Sequence, residues 1–225
     1  MKPLLKALLI IASCFAATFV LIKGTGILTV EQIEGWLMLA RELSPIYVGT
    51  LVAALLFADL FIAVPTLTIT ILSGYFLGHV HGAMSALCGV TLAGICGYTI
   101  SRYYGNTILG LLVKNENERN EATMTFRKHG FMMILLSRAM PILPEVTACL
   151  SGITRMSFSK FLLAWLMSSV PYILIATYAG SISSIENPMP AIYTAIGLSL
   201  LLWGTWFVYY QTCNKSKSDF FAKMK

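Results

Sequence analysis

Between Lys128 and Pro171 the chain sets prolines and charges inside an otherwise apolar segment, KHGFMMILLSRAMPILPEVTACLSGITRMSFSKFLLAWLMSSVP, and few folds can absorb that combination. The setting makes it a membrane problem: 57% of the residues are hydrophobic and 12% charged, against about a quarter charged in soluble domains. A charge at the centre of a bilayer costs roughly 3 kcal/mol or more, so Arg138 and Glu145 are expected to face protein or a water-filled cavity rather than lipid. Pro141 and Pro144 each remove a backbone donor and disrupt a helical turn. Freed backbone groups at membrane depth are tolerated only where protein or cavity water satisfies them. Residues 130 to 155 therefore read as a broken, re-entrant hairpin whose tip, near residues 141 to 145, lies inside the membrane.

The remaining charge is arranged as it is in a polytopic membrane protein. The formal net charge is +6, but the lysines and arginines lie between apolar segments and at the two ends, which points to membrane topology rather than to nucleic acid. The longest polar stretch, residues 113 to 129, is too short for a separate soluble domain. Cys14, Cys88, Cys96, Cys149 and Cys213 are scattered without a Cys-x-x-Cys spacing, so neither a disulfide framework nor a zinc site follows.

Taken in order, Lys2 and Lys6 open an apolar run to Ile22 that reads as a first transmembrane helix or a signal sequence. Ile11-Ala12-Ser13-Cys14 matches the small-residue pattern before a lipidated cysteine, yet the run stays apolar beyond it. Residues 24 to 44 carry a capping box, Thr29 with Gln32, and read as an interfacial amphipathic helix. Residues 46 to 64 are apolar except for Asp59 and are followed by Pro65 and by threonines at 66, 68 and 70 that can bond freed backbone groups, which suggests a second broken hairpin. That hairpin ends in Leu72-Ser73-Gly74, as the later one ends in Leu150-Ser151-Gly152.

Residues 82 to 104 read as a spanning helix with small residues four apart, Ser85, Gly89, Ala93, Gly97 and Ser101, a face suited to close packing and to a homo-oligomer. Arg102 and the run from Lys114 to Lys128 read as a water-exposed loop. Residues 158 to 180 and 191 to 211 are two further spans, and a tail with Lys215, Lys217, Lys223 and Lys225 beside Phe220 and Phe221 suits an anionic membrane surface.

The positive-inside rule chooses between two topologies. If 46 to 64 crossed fully, Lys114, Arg119, Arg127 and Lys128 of the loop and Lys215, Lys217 and Lys223 of the tail would fall outside. If 46 to 79 is a hairpin entering from outside, loop, tail, Lys2 and Lys6 all fall inside. The expected fold is therefore an all-α polytopic membrane protein with about four spanning helices and two opposed re-entrant hairpins. Hairpin plus helix at 46 to 104 mirrors hairpin plus helix at 130 to 180, an inverted repeat of the kind that brings broken segments together at the midplane. The division is 1–45, an N-terminal helix and amphipathic segment; 46–180, the membrane domain; and 181–225, the last helix and basic tail.

Asp59, Arg138 and Glu145 are the charges this arrangement leaves in the membrane core. Arg138 can pair with one carboxylate at a time and leave the other free to take a proton, and an ion pair that merely holds the hairpins together uses the same residues. Pro65, Pro141, Pro144, Gly74 and Gly152 shape the hairpins. Arg155 and Lys160 flank the inner end of the second one and are placed either to attract a lipid phosphate or to anchor the segment. His79 and His81 lack an acidic or cysteine partner, so no metal or cofactor is expected. No Gly-x-Ser-x-Gly or His-Glu-x-x-His motif is present, and no enzyme activity is expected.

The string Gly130, Arg138, Pro141, Pro144, Ser151-Gly152, Phe161 and Pro171 resembles the signature of the DedA family, the VTT-domain or SNARE-associated Golgi protein superfamily, over roughly residues 46 to 180. Its Arg-x-x-Pro-x-x-Pro form resembles the branch of the eukaryotic transmembrane members. Asp59 stands where members carry an acid in the first hairpin. A second acid is replaced by Pro65-Thr66-Leu67 and a second arginine by Pro144, with Glu145 nearby. The resemblance implies movement of a phospholipid or polyprenyl-phosphate type anion by a flippase or scramblase, with proton coupling a question, membrane lipids as partners, and the bacterial cytoplasmic (inner) membrane as location with both termini cytoplasmic. The alternatives are a proton-coupled carrier for a small solute and a non-transporting membrane scaffold.

Overall fold

The computed structural model of the protein describes residues 44–62, 64–112, 116–139, 142–183 and 189–205, besides the single residues 13 and 35. Its described elements are all helical. The expected first helix or signal segment, the amphipathic helix, Cys14, Pro141, Cys213 and the lysine tail lie outside the described residues.

Helix α1 (Pro45–Ala58) begins where Ser44 Oγ accepts the Ile46 N–H at 3.4 Å and where Pro45, in the first turn, gives up a donor that the helix does not use. It ends at Asp59. Helix α2 (Thr66–Leu112) follows Pro65 and is interrupted at Gly78, whose φ of 76° and ψ of 169° suit glycine and strain any residue with a Cβ. Its two limbs are α2a (66–77) and α2b (79–112). In an unbroken helix residues 73 and 82 would stand about 13 Å apart. Here Ser73 Oγ donates to the Gly82 carbonyl at 3.3 Å, so the chain folds back at Gly78. Nothing lies within 4 Å of where a Gly78 Cβ would sit. Gly78→Ala is therefore expected to cost about 1–3 kcal/mol through backbone strain alone, measured as a lowered unfolding midpoint in detergent; an unchanged midpoint would show that the turn relaxes freely.

Helix α3 (Glu116–Leu136) leads through a 3-10 turn (Ser137–Ala139) to helix α4 (Leu143–Ile153), then to α5 (Phe158–Ser181) and α6 (Met189–Thr205). The expected loop from Lys114 to Lys128 is corrected here: from Glu116 onward it is the first half of α3. Charge density marked the segment as exposed to water, and an exposed helix satisfies that as well as a loop does. Helix α4 closes with Met156 N–H on the Ser151 carbonyl and Arg155 N–H on the Gly152 carbonyl, both 3.0 Å. This is a Schellman turn in which Arg155, at φ 55°, takes the place usually given to glycine.

The small-residue stripe decides the packing. Gly89 faces the Ala53 backbone, Gly49 meets Ser85 Oγ and Gly97 meets Leu60, so α1 and α2b run side by side in the same direction. Gly152 of α4 abuts the Tyr98 carbonyl and Arg102 amide, and Gly105 abuts Ile153. Much of the stripe is thus used within the chain. Helix α5 runs the opposite way along α2b, with Trp165 against Gly94 and Thr177 against His79. The two Leu-Ser-Gly segments are exchanged: Gly74 seats on the Thr177 backbone of α5 and Gly152 on α2b, each against the long helix of the other half. Within the apolar stretch Thr66–Gly105 the limb after Gly78 is long and apolar enough to cross a membrane, as is Phe158–Ser181, whereas α1, α4 and α6 are apolar but shorter.

Candidate functional site

The two proline-containing turns meet at a cavity of about 370 Å³, lined by Asp59, Arg138 and Glu145 together with Pro65, Pro144 and Tyr172. Its further wall comes from Leu198, Ser199, Leu202 and Trp203 of α6. Three charges separated by as many as 86 positions in the chain are thus brought to one space.

Asp59 is 8% exposed and both of its oxygens are used. Oδ1 accepts the Val64 N–H at 2.8 Å and Oδ2 accepts the Thr66 hydroxyl at 2.6 Å. A carboxylate thus holds the start of α2 from the end of α1, where the partial positive charge of a helix N-terminus favours an anion. Thr66 is a site residue that the sequence pointed to only indirectly, as a bonding partner for freed backbone. Its hydroxyl lies 3.4 Å from the Val64 carbonyl but 2.6 Å from Asp59. Thr70 bonds the Thr66 carbonyl of its own helix.

Glu145 stands in the first turn of α4, which no side chain caps. The residue before that helix, Ile142, has φ 76° and ψ −24°, an outlying conformation for a β-branched side chain, and it lines the cavity. Pro144 sits in the first turn of α4 and Pro65 just before α2, so each proline sets a helix start and interrupts no helix.

Arg138, expected to be able to pair with one carboxylate at a time, takes other partners in this structure. Among the described residues no carboxylate lies within 4.0 Å of its guanidinium; instead Nη2 donates to Ser169 Oγ at 3.0 Å. Its Cζ lies 5.3 Å from the Trp165 ring centroid and 5.5 Å from that of Tyr172, within reach of both π faces. Trp165, Ser169 and Tyr172 are spaced four and three apart and form one stripe of α5. That polar and aromatic stripe on a spanning helix is the signal that could have marked them.

The other expected site residues lie elsewhere. Arg155 and Lys160 are exposed, beyond the end of α4. His79 Nδ1 is 3.2 Å from Thr177 Oγ1 and its ring meets Tyr178 edge-on, while His81 is exposed. Among the described residues no cluster of three potential metal ligands occurs.

Apolar helices, two of them holding a stretch of spanning length, folded around charges that lipid would not accept point to an integral membrane protein. A match to the VTT domain over residues 64–182 places the chain in that family, the DedA family. The chain is 27% identical to undecaprenyl phosphate transporter A of Bacillus subtilis over 109 residues, 46% of this chain and 54% of that protein. It is 28% identical to YqeD, an uncharacterised protein of the same organism, over 56% of this chain and 62% of that one. An uncharacterised membrane protein of Synechocystis is 29% identical over 45% of this chain and 51% of its own length. The matches thus span little more than half of these relatives. No solved structure matches.

Proposed function

We propose that the protein carries a phosphate-bearing lipid, a phospholipid or a polyprenyl phosphate, across the membrane by letting the phosphate and protons exchange places in the charged cavity. The observation that carries this reading is that Asp59 and Glu145 occupy the starts of two helices at one cavity while Arg138, among the described residues, has no ion-pair partner. Helix N-termini and an arginine together bind phosphate well. With both acids ionised, their own charge holds those positions. Once they are protonated, the backbone donors and Arg138 are left to an incoming anion. Leu198, Leu202 and Trp203 of α6 line the cavity, and among the described residues nothing buries Leu200 and Leu201 of the same helix, which suits passage of a hydrocarbon chain to lipid. The name of the Bacillus transporter supports the substrate class.

The test is reconstitution into liposomes with a fluorescent headgroup-labelled phospholipid in one set and a labelled short polyprenyl phosphate in another. Acceleration of transbilayer movement over protein-free liposomes for either probe is expected. No acceleration for both would favour a small-solute carrier or a scaffold.

The same reading takes α1 with α2a, and the part of α3 from residue 130 with α4, as re-entrant hairpins from opposite faces, with four spanning helices around them and both termini cytoplasmic in a bacterial inner membrane. The expected labelling follows from it. Single cysteines at positions 34 and 186, in a background without native cysteines, react with an impermeant reagent added to intact cells, and those at 117 and 218 do not. Labelling at 117 from outside would end this topology.

A further inference from the structure

A second, much smaller space of about 10 Å³ shares Asp59, Arg138 and Glu145 with the cavity and is otherwise bordered by Gly94, Trp165 and apolar side chains such as Leu56 and Leu60. Trp165 is 4% exposed, and its indole Nε1 is one of two buried side-chain polar atoms among the described residues that have no hydrogen-bond partner. The indole packs directly on Gly94, where a Cβ would lie 2.5 Å from Cε2 and 2.8 Å from Nε1, so the missing side chain is what lets the ring and its Nε1 reach the border of this space. A buried donor without an acceptor is costly, and about 10 Å³ is the smallest space that holds a water molecule, provided that two to four polar groups receive it. Apolar voids of this size stay dry, but this one has a donor and three charged side chains on its border.

We infer that this space is a binding site for one water molecule, which accepts the Trp165 N–H and donates to the Glu145 and Asp59 carboxylates. Each oxygen of Asp59 accepts one hydrogen bond and keeps a lone pair for a second. No hydrogen bond from another side chain reaches the Glu145 carboxylate among the described residues. The water then joins two acids that do not touch. When Glu145 carries a proton and Asp59 does not, the water takes the Glu145 proton and releases one of its own to Asp59, so that water is regenerated and one proton has moved. This second part rests on the proton-exchange reading above, whereas the water site stands without it. Trp165 is a positioning residue in this scheme: it orients the water and gives up no proton.

The test has two arms. In the wild-type protein labelled with 15N-tryptophan in nanodiscs, the Trp165 Nε1 proton, assigned by its disappearance in Trp165→Phe, is expected to show a cross-peak to water; its absence would mean a dry void and would overturn the site. In proteoliposomes the ratio of gradient-driven to gradient-free transport of the labelled lipid is expected to fall at least about tenfold in Trp165→Phe at matched abundance. A cross-peak with an unchanged ratio would overturn the relay. If the wild type itself moves no probe, the transport reading fails and the relay with it, and the cross-peak alone decides the water site.

Discussion

Asp59→Asn is expected to insert and fold but to lose gradient-driven transport by roughly a hundredfold or more, the scale of losing a positioned proton-transfer group. Asparagine keeps the shape. Its carbonyl oxygen can accept the Val64 N–H, and its amide can donate to Thr66 Oγ1, whose own proton can turn toward the Val64 carbonyl 3.4 Å away. The exchange of charged for neutral hydrogen bonds costs about 1 kcal/mol. A purely structural carboxylate predicts the reverse, a loss of stability with the remaining activity still responsive to the gradient. Transport by wild type and variant at matched membrane abundance, with and without a protonophore, separates the two. Full, gradient-sensitive activity in Asp59→Asn would remove this residue from the mechanism and leave Glu145 as the acid at that cavity.

The second large effect is expected at the glycines that seat each half on the other. Gly152→Val drives a branched side chain into the Tyr98 carbonyl and the Arg102 amide, and backbone cannot step aside as the end of a flexible side chain can. Separating α4 from α2b enough to admit it should cost at least about 3 kcal/mol, at or beyond the upper end for overpacking a core. Gly74→Val meets the Thr177 backbone in the same way. Loss of the monodisperse folded protein on size-exclusion chromatography, for both variants, is the expected outcome. A folded, active Gly152→Val would show that α4 is not held against α2b as described. Gly197→Val is the control, since nothing lies within 4 Å of the added Cβ and stability should change little.

The cost of a misplaced group is local, and that is why much of the site could be read without coordinates. A proline or an ionised side chain in an apolar run is expensive wherever the chain goes, so Pro65, Pro144, Asp59, Arg138 and Glu145 announced the turns that meet at the cavity. The spacing of Ser85, Gly89, Ala93 and Gly97 likewise announced a close packing face, because i, i+4 residues share one side of any helix. The identity of the partner on that face was another matter. Whether α1 or a second copy of the chain fills it depends on where the backbone turns at Gly78, and glycine permits that turn without dictating it. Arg138 gives the same lesson. The sequence supplied a cation and two acids, and opposite charges suggested a pair, but Ser169, Trp165 and Tyr172 reach the guanidinium only because α5 crosses at that level. Residue types carry their own solvation and backbone costs, and those determined the class of protein and the places where the chain must break. Which groups finally satisfy one another is a property of distances between segments far apart in the chain, and the tertiary structure alone decided it.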